Sequence, residues 1–459
     1  MSPKHITMLI VSLALFLDVM DSNVINTAIP AISETFNVTP IDLKIALISY
    51  LLSLAIFIPM SGWTADQYGA KNIFIAAVGL FTVSSFFCGY SHTLPELIIA
   101  RSVQGVGGAF MISLGRFMVA KTFLRHEMIQ ATSTMIIVIS SAVMMGPFVG
   151  GVIVDHWSWP WIFWINIPAG AFVVLLSLKG LKETGTKNPR PFDFFGFVLF
   201  GGGLALLSFS VSAMSEAHRE LRSSFFELTL ALFMLIIYVF HARRNKHPVI
   251  QINLLKIRTF RISIYGSLFG RLGFGGIPFL IPLLQQVGLG FSAQLSGLLM
   301  IPLAIGVIAS KMVGPGLLRK TGYRRFLYVN TVLVGLSLWL FQIITSHTPI
   351  DLIATLTFIF GFIVSLQYTG MNSLALADIK DEQLSAATTI TSTTQILALS
   401  LGVAVAALLL RIFASVSGDT ILLTLSTFHH TFFALGVLTM LSMLLFLDLK
   451  DNDGEQMLF

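Results

Sequence analysis

The apolar residues of this sequence gather into blocks of about 20, the length an α-helix needs to cross roughly 30 Å of hydrocarbon at about 1.5 Å per residue. Of 459 residues, 55% are hydrophobic and only 11% charged, against roughly 25% charged in ordinary soluble domains. The fold class expected is therefore all-α, a polytopic membrane protein embedded in a lipid bilayer. The net charge of +6 could suit nucleic acid, but the basic residues sit in short loops between apolar blocks, where they anchor topology. No nucleic-acid partner is expected. The single cysteine, Cys88, lies inside an apolar block and reads as a small packing residue, so neither a disulfide nor a cysteine-based metal site is expected. The first apolar stretch is too long for a signal-peptide core and lacks a cleavage site, so it is expected to remain as the first span.

Apolar spans are predicted near 6–28, 44–64, 72–91, 95–118, 129–153, 161–180, 193–213, 224–242, 262–284, 294–315, 325–345, 350–376, 387–410 and 427–448, fourteen in all. Pro30, Pro40, Pro95, Pro160 and Pro349 fall at or near their predicted ends. With the N-terminus inside, 21 of the 28 Lys and Arg residues face the cytoplasm, among them Arg125, Lys187 and Arg190. Lys44, Arg219, Arg222 and Arg411 face out, and Arg101, Arg271 and Lys311 lie within spans. Both termini are then cytoplasmic, and removing one span would invert the pattern downstream.

The basic stretch from His241 to Arg261 joins the eighth span to the ninth, and Lys179 to Arg190 forms another polar inside connection. The predicted organisation is 6+2+6: residues 1–190 as an N-terminal six-helix half, 191–245 as a central two-helix insert, and 246–459 as a C-terminal six-helix half with its cytoplasmic linker. Transporters commonly consist of repeated halves, and a faint repeat is present. Asp66, Gly69 and Lys71 match Arg319, Gly322 and Arg324 at an offset of 253, and the same offset takes Asp18 to Arg271.

Asp18 and Asp21 are the acids well inside a span. A carboxylate there must face a cavity, pair with a base, or bind a proton, and the spacing of three places both on one helix face. Proton exchange and a structural ion pair with a buried arginine both remain open for them. Arg271, in GRLGFGG, offers a fixed charge to a carboxylate-bearing substrate or to Asp18 and Asp21. Lys311 stands about eight residues from Arg319 and is expected to snorkel; Arg101 reads as a structural or coupling partner. Gly105, Gly107 and Gly108 follow no strand, so helix packing is preferred to a dinucleotide fingerprint. Gly146 and Gly150 form a small-xxx-small face with Pro147 between them. No catalytic constellation, metal site or P-loop is found, so no cofactor is expected beyond a proton gradient.

Together these motifs resemble the major facilitator superfamily, and specifically its fourteen-helix drug:proton antiporter branch. Gly62, Asp66, Gly69 and Lys71 in GWTADQYGAK match the loop motif, with Thr64, Gln67 and Ala70 departing from it. Arg101, Gln104, Gly105, Gly107 and Gly108 match the fourth-helix motif, and Gly146, Pro147, Gly150 and Gly151 the fifth-helix antiporter motif, with Ala142 where glycine is usual. Asp21, Asn26, Ala28 and Pro30 match the first-helix motif of the branch, and Asp18 is an addition to it.

The resemblance implies a multi-pass protein of the bacterial inner membrane that exports small molecules by alternating access in exchange for protons. Asp21 and Asp18 would couple the proton; Asp18, Asp21, Asn26, Arg101, Gln104, Arg271 and Lys311 would line the substrate cavity. Gly62, Asp66, Gly69, Lys71 and Gly146 to Gly151 would serve conformational change. Drug-like or amphipathic cations are the cargo implied by the branch, while three buried bases against two acids lean towards an anionic metabolite such as citrate or a carboxylate siderophore. A monomer is expected, and a periplasmic adaptor is compatible with this reading. A non-transporting sensor on the same fold is the rival from another class; an enzyme is not expected.

Overall fold

A computed structural model describes residues 3–124, 127–183, 191–214, 221–416 and 423–455. Arg125, Lys187, Arg190 and Arg219, four of the basic residues that fix the predicted orientation, lie outside the described residues. The helices are α1 (Pro3–Phe36), α2 (Lys44–Phe57), α3 (Ser61–Tyr68), α4 (Ala70–Tyr90), α5 (Leu94–Thr122), α6 (Met128–His156), α7 (Trp161–Trp164), α8 (Asn166–Gly180), α9 (Phe194–Ala213), α10 (Leu221–Arg244), α11 (Arg258–Phe274), α12 (Ile277–Leu283), α13 (Ala293–Leu340), α14 (Ile350–Leu376), α15 (Leu384–Val416) and α16 (Leu425–Leu441). No strand occurs among the described residues, and thirteen helical runs are long and apolar enough to cross a membrane. Large apolar side chains such as Phe87, Phe172, Phe233 and Phe240 are exposed on their flanks, the surface that lipid rather than water would cover.

The run count differs from fourteen because the spans predicted at 294–315 and 325–345 are joined in α13. That 48-residue run is not a straight helix: Gly322 interrupts it with φ 69° and ψ 163°. Gly69, its partner at the offset of 253, is also left-handed, with φ 94°. Only glycine adopts such angles without strain, so the repeat seen in sequence marks a shared backbone turn. Pro30 departs from expectation, lying inside α1 rather than at its end. Lacking an N–H, it leaves the carbonyl of Asn26 without the usual helical donor. Pro95 behaves as expected: it opens α5 behind Thr93, whose hydroxyl accepts from the Glu96 N–H at 3.4 Å.

Contacts divide the chain into two compact units. The first comprises residues 1–38, 45–194 and 292–298; the second comprises 39–44, 195–291 and 299–459. In the first unit, Gly146 and Gly150 bring α6 against α1: a Cβ on Gly146 would lie 2.8 Å from that of Asn23, and one on Gly150 would meet the Val24 carbonyl at 2.5 Å. Thr27 Oγ1 donates to the Pro147 carbonyl across this contact at 3.2 Å. In the second unit, Tyr323, Phe326, Leu327, Met371, Leu374 and Phe446 form a core. Above it, Asn330 donates to Gln367 Oε1 and Gln367 to Thr331 Oγ1, each at 2.8 Å, a buried amide ladder with its partners in place. The α9–α10 pair packs through Gly203 against Leu235, and Ser208 of α9 meets Ser400 of α15 at 3.2 Å.

The first turn of α13 belongs to the first unit and is capped from α6. Asp155 Oδ1 accepts from the Ala293 N–H at 3.2 Å and Oδ2 from the Gln294 N–H at 2.7 Å. These donors have no partner within the helix, and a carboxylate there also meets the positive end of its dipole. Asp155→Ala is expected to cost about 1 kcal/mol, read as a lower thermal unfolding midpoint in detergent, with Asp155→Asn intermediate. An unchanged midpoint in Asp155→Ala would mean that water caps the turn equally well.

Candidate functional site: a buried charge network

α1 carries Asp18 and Asp21 one turn apart into the first unit, where both are buried (2% and 0% exposed). α5 places Arg101 and Gln104 three residues apart on one face. The Arg101 guanidinium forms a short ion pair with Asp21 Oδ2. Asp21 Oδ1 accepts from Gln104 Nε2 at 3.0 Å and from Asn166 Nδ2 at 2.7 Å. Gln104 is itself held, accepting from Arg101 at 2.6 Å and donating to Ser85 Oγ at 2.8 Å. Three donors from two helices, α5 and α8, thus converge on one carboxylate, and Asp21 and Arg101, both marked in the sequence, join in one pair.

Asp18 stands differently. Its Oδ1 accepts from the Tyr50 hydroxyl at 2.5 Å, and no ion pair to it occurs among the described residues. The same Tyr50 presents its ring face to Arg101, whose guanidinium carbon sits 4.2 Å from the ring centroid. One side chain on α2 therefore touches both charge centres, by its hydroxyl on one side and its π-face on the other. Gly108 makes room for this: a Cβ there would run into Asp18 Oδ1 and stand 2.9 Å from the Tyr50 hydroxyl. Gly105 likewise admits α2, since a Cβ would approach the Ser53 Cβ at 2.7 Å. Cys88, buried and free, rests its sulfur 3.5 Å from Gln104 Oε1.

The remaining residues singled out by sequence are more dispersed. Asn26 is buried on α1, where its side-chain amide donates to the Asn23 carbonyl at 3.4 Å, away from the carboxylates. Arg271 is buried on α11 in the second unit. Lys311, grouped with the buried cations by its position in a span, is exposed and donates to Thr369 Oγ1 at 2.8 Å; its long stem lets the ammonium leave the core. Gly62 is exposed with open space beside it. Gly151 lets the backbones of α6 and α13 meet, a Cβ there lying 2.8 Å from Gln294 Cα.

Asp66, within α3, has no hydrogen-bond partner among the described residues, and the carboxylate at the N-terminus of α4 comes from elsewhere in the chain. Glu183, just beyond α8, takes this place: its Oε1 accepts from the Lys71 N–H at 3.4 Å and its carboxylate packs on Gly69. Lys71 Nζ donates to the Leu178 carbonyl at 3.3 Å. Tyr50, Ser85, Asn166 and Glu183 were not singled out by sequence. Asn166 had a signal, being an amide within an apolar span; the others are ordinary residue types for their places.

A family model described as Major Facilitator Superfamily matches residues 11–403. Proteins named "Putative multidrug resistance protein MdtD" are similar along the whole chain. The one from Pectobacterium carotovorum subsp. carotovorum is 34% identical over 442 residues, covering 95% of this chain and 94% of its own; that from Escherichia fergusonii is 34% identical over 449 residues, covering 97% and 95%. Among solved structures, an auto-inhibited POT family peptide transporter superposes with a TM-score of 0.71 at 16% identity, covering 97% of this chain and 98% of its own. A D-xylose-proton symporter gives 0.69 at 14%, covering 98% and 99%. At these identities the structures share the fold.

Proposed function

The chain belongs to the Major Facilitator Superfamily and is a membrane transporter, not an enzyme; on that premise we propose that it exports small molecules across the bacterial inner membrane in exchange for protons. The observation that carries this reading is the contrast between two buried carboxylates one helical turn apart. Asp21 is held by Arg101, Gln104 and Asn166, whereas Asp18 has one hydroxyl partner and no ion pair among the described residues. Protonating Asp21 would strip Arg101 of its counter-charge; protonating Asp18 breaks no ion pair. Asp18 is therefore the exchangeable site in this proposal, and the Asp21–Arg101 pair is the fixed charge beside it. Tyr50 links them: a proton on Asp18 turns the charge-assisted bond from its hydroxyl into a weaker neutral one, and the ring of the same side chain lies on Arg101. Occupancy of Asp18 can thus alter the packing of α1, α2 and α5 together, which is what coupling to alternating access requires.

The proposed topology has fourteen crossings with both termini cytoplasmic. At about 1.5 Å per residue the 51-residue run Ala293–Ile343 is more than twice the thickness of a bilayer, and Gly322 supplies the turn between its two crossings. The halves of six helices and the central pair follow the boundaries 1–190, 191–245 and 246–459. The cargo is a drug-like or amphipathic small molecule, the class to which the relatives' name refers, and the protein works as a monomer with or without a periplasmic adaptor.

The test uses the full chain in vesicles made about one pH unit more acidic inside than out, with ethidium as lipophilic cation and citrate as tricarboxylate. Proton exchange predicts uptake of a probe that stops when a protonophore collapses the gradient. A sensor on the same fold would move neither probe under any gradient, and that result would end the transport reading.

A further inference from the structure

Charge pairing in the second unit runs opposite to what burial demands. Arg258 and Arg324, at the ends of spans, pair with Asp453 and Asp451. Arg271, buried at 3% exposure near the middle of its span, has no ion pair among the described residues. Its Nη1 donates a long bond of 3.4 Å to the Ser267 carbonyl one turn back, and its guanidinium carbon stands 4.4 Å from the Tyr368 ring centroid. A buried lysine can relieve such a position by losing its proton; arginine does not deprotonate in proteins. The ring face offsets part of the desolvation, and the rest calls for an anion.

A second observation points the same way. Ser267 lies one turn from Arg271 on the same face of α11, and its Oγ is buried without a hydrogen-bond partner. Thr393 Oγ1, on the α15 helix that packs against α11, is buried and unmatched as well. The backbone beneath is fixed: a Cβ on Gly402 of α15 would meet the Arg271 carbonyl at 2.5 Å, so the two helices touch directly. The guanidinium is carried on a helix packed directly against its neighbour, with an unmatched hydroxyl one turn back on the same helix, and its planar fork matches the two oxygens of a carboxylate. We propose that Arg271, with the Ser267 hydroxyl, is the docking point for a carboxylate group of the transported molecule, so that the cargo is an organic anion.

This deepens the transport reading and depends on it for the word cargo, so the test reads binding without any gradient. The full chain in lipid nanodiscs is titrated with three carboxylates, citrate, fluorescein and deoxycholate, and with ethidium as cation. At least one carboxylate is expected to bind wild type. Arg271→Ala should weaken it about 30-fold or more, as expected for removing a buried charge partner, and Ser267→Ala about 5-fold. Ethidium binding, or its absence, should be unchanged by either. Arg271→Lys keeps the charge and the fold while losing the fork, so it should weaken the carboxylate about 5- to 10-fold and keeps the test decisive if the alanine variant does not fold. The assignment is overturned if no carboxylate binds wild type, if binding survives both arginine substitutions intact, or if ethidium weakens in parallel. Carboxylate binding that depends on Arg271 in a protein that moves nothing under a pH gradient would sink the transport reading alone.

Discussion

Asp18→Asn, reconstituted in vesicles acidic inside, is expected to exchange substrate across the membrane but not to accumulate it. The substitution keeps the shape of the side chain and an acceptor for the Tyr50 hydroxyl now 2.5 Å from the carboxylate, so the packing around Gly108 survives. What it removes is the ability to gain and lose a proton. A gradient of one pH unit supplies about 1.4 kcal/mol per proton, enough for about tenfold accumulation when one proton is exchanged per molecule. Wild type should approach that ratio and Asp18→Asn should level off near one, while counterflow of labelled against unlabelled substrate continues in both. Tenfold accumulation by Asp18→Asn would place the exchangeable proton elsewhere, with Asp21 the next site to examine. Loss of counterflow as well as accumulation would instead make Asp18 part of the architecture.

The second large effect is on stability. Asp21→Asn leaves the fully buried Arg101 guanidinium without a counter-charge, and Arg101→Met leaves the Asp21 carboxylate in the same position. Removing one partner of a buried pair costs about 3–5 kcal/mol. The double variant Asp21→Asn/Arg101→Met removes both charges and retains the apolar stem against Tyr50 and Phe163, so its cost should fall well below the sum of the single costs. Unfolding midpoints of the four proteins in one detergent provide the cycle. Additive losses would show that the two groups are stabilised independently, by Gln104 and Asn166 on one side and by the aromatic rings on the other.

Both predictions concern residues that the sequence exposes by contrast. A charged side chain in an apolar block is conspicuous because its burial is so costly, and Asp18, Asp21, Arg101 and Arg271 all stand out on that ground. The fold class is legible for the same reason, since block length and composition leave helices across a bilayer as the economical solution, and the glycine spacing marks a close-packing face on α6, though not that α1 is the helix it meets. Sequence reads less well where residue type is ordinary. Tyr50 is one aromatic among many in apolar spans, yet it joins the two charge centres. Asp155 and Glu183 look like loop acids and prove to cap the first turns of α13 and α4. Lys311, expected to snorkel, is exposed, and its ammonium donates to Thr369.

The sequence by itself determined that this chain spans a membrane, which few residues carry charge into it, and where a glycine recurs in two loops at a fixed offset, because each can be read along one chain. Only the tertiary structure decided how those charges are partnered: Asp21 with Arg101, Asp18 with Tyr50, Arg271 with no acid among the described residues. Pairing depends on which helices lie side by side and which face each presents. Helix neighbours far apart in the chain are chosen by packing over the whole unit, and no short stretch of sequence contains that choice.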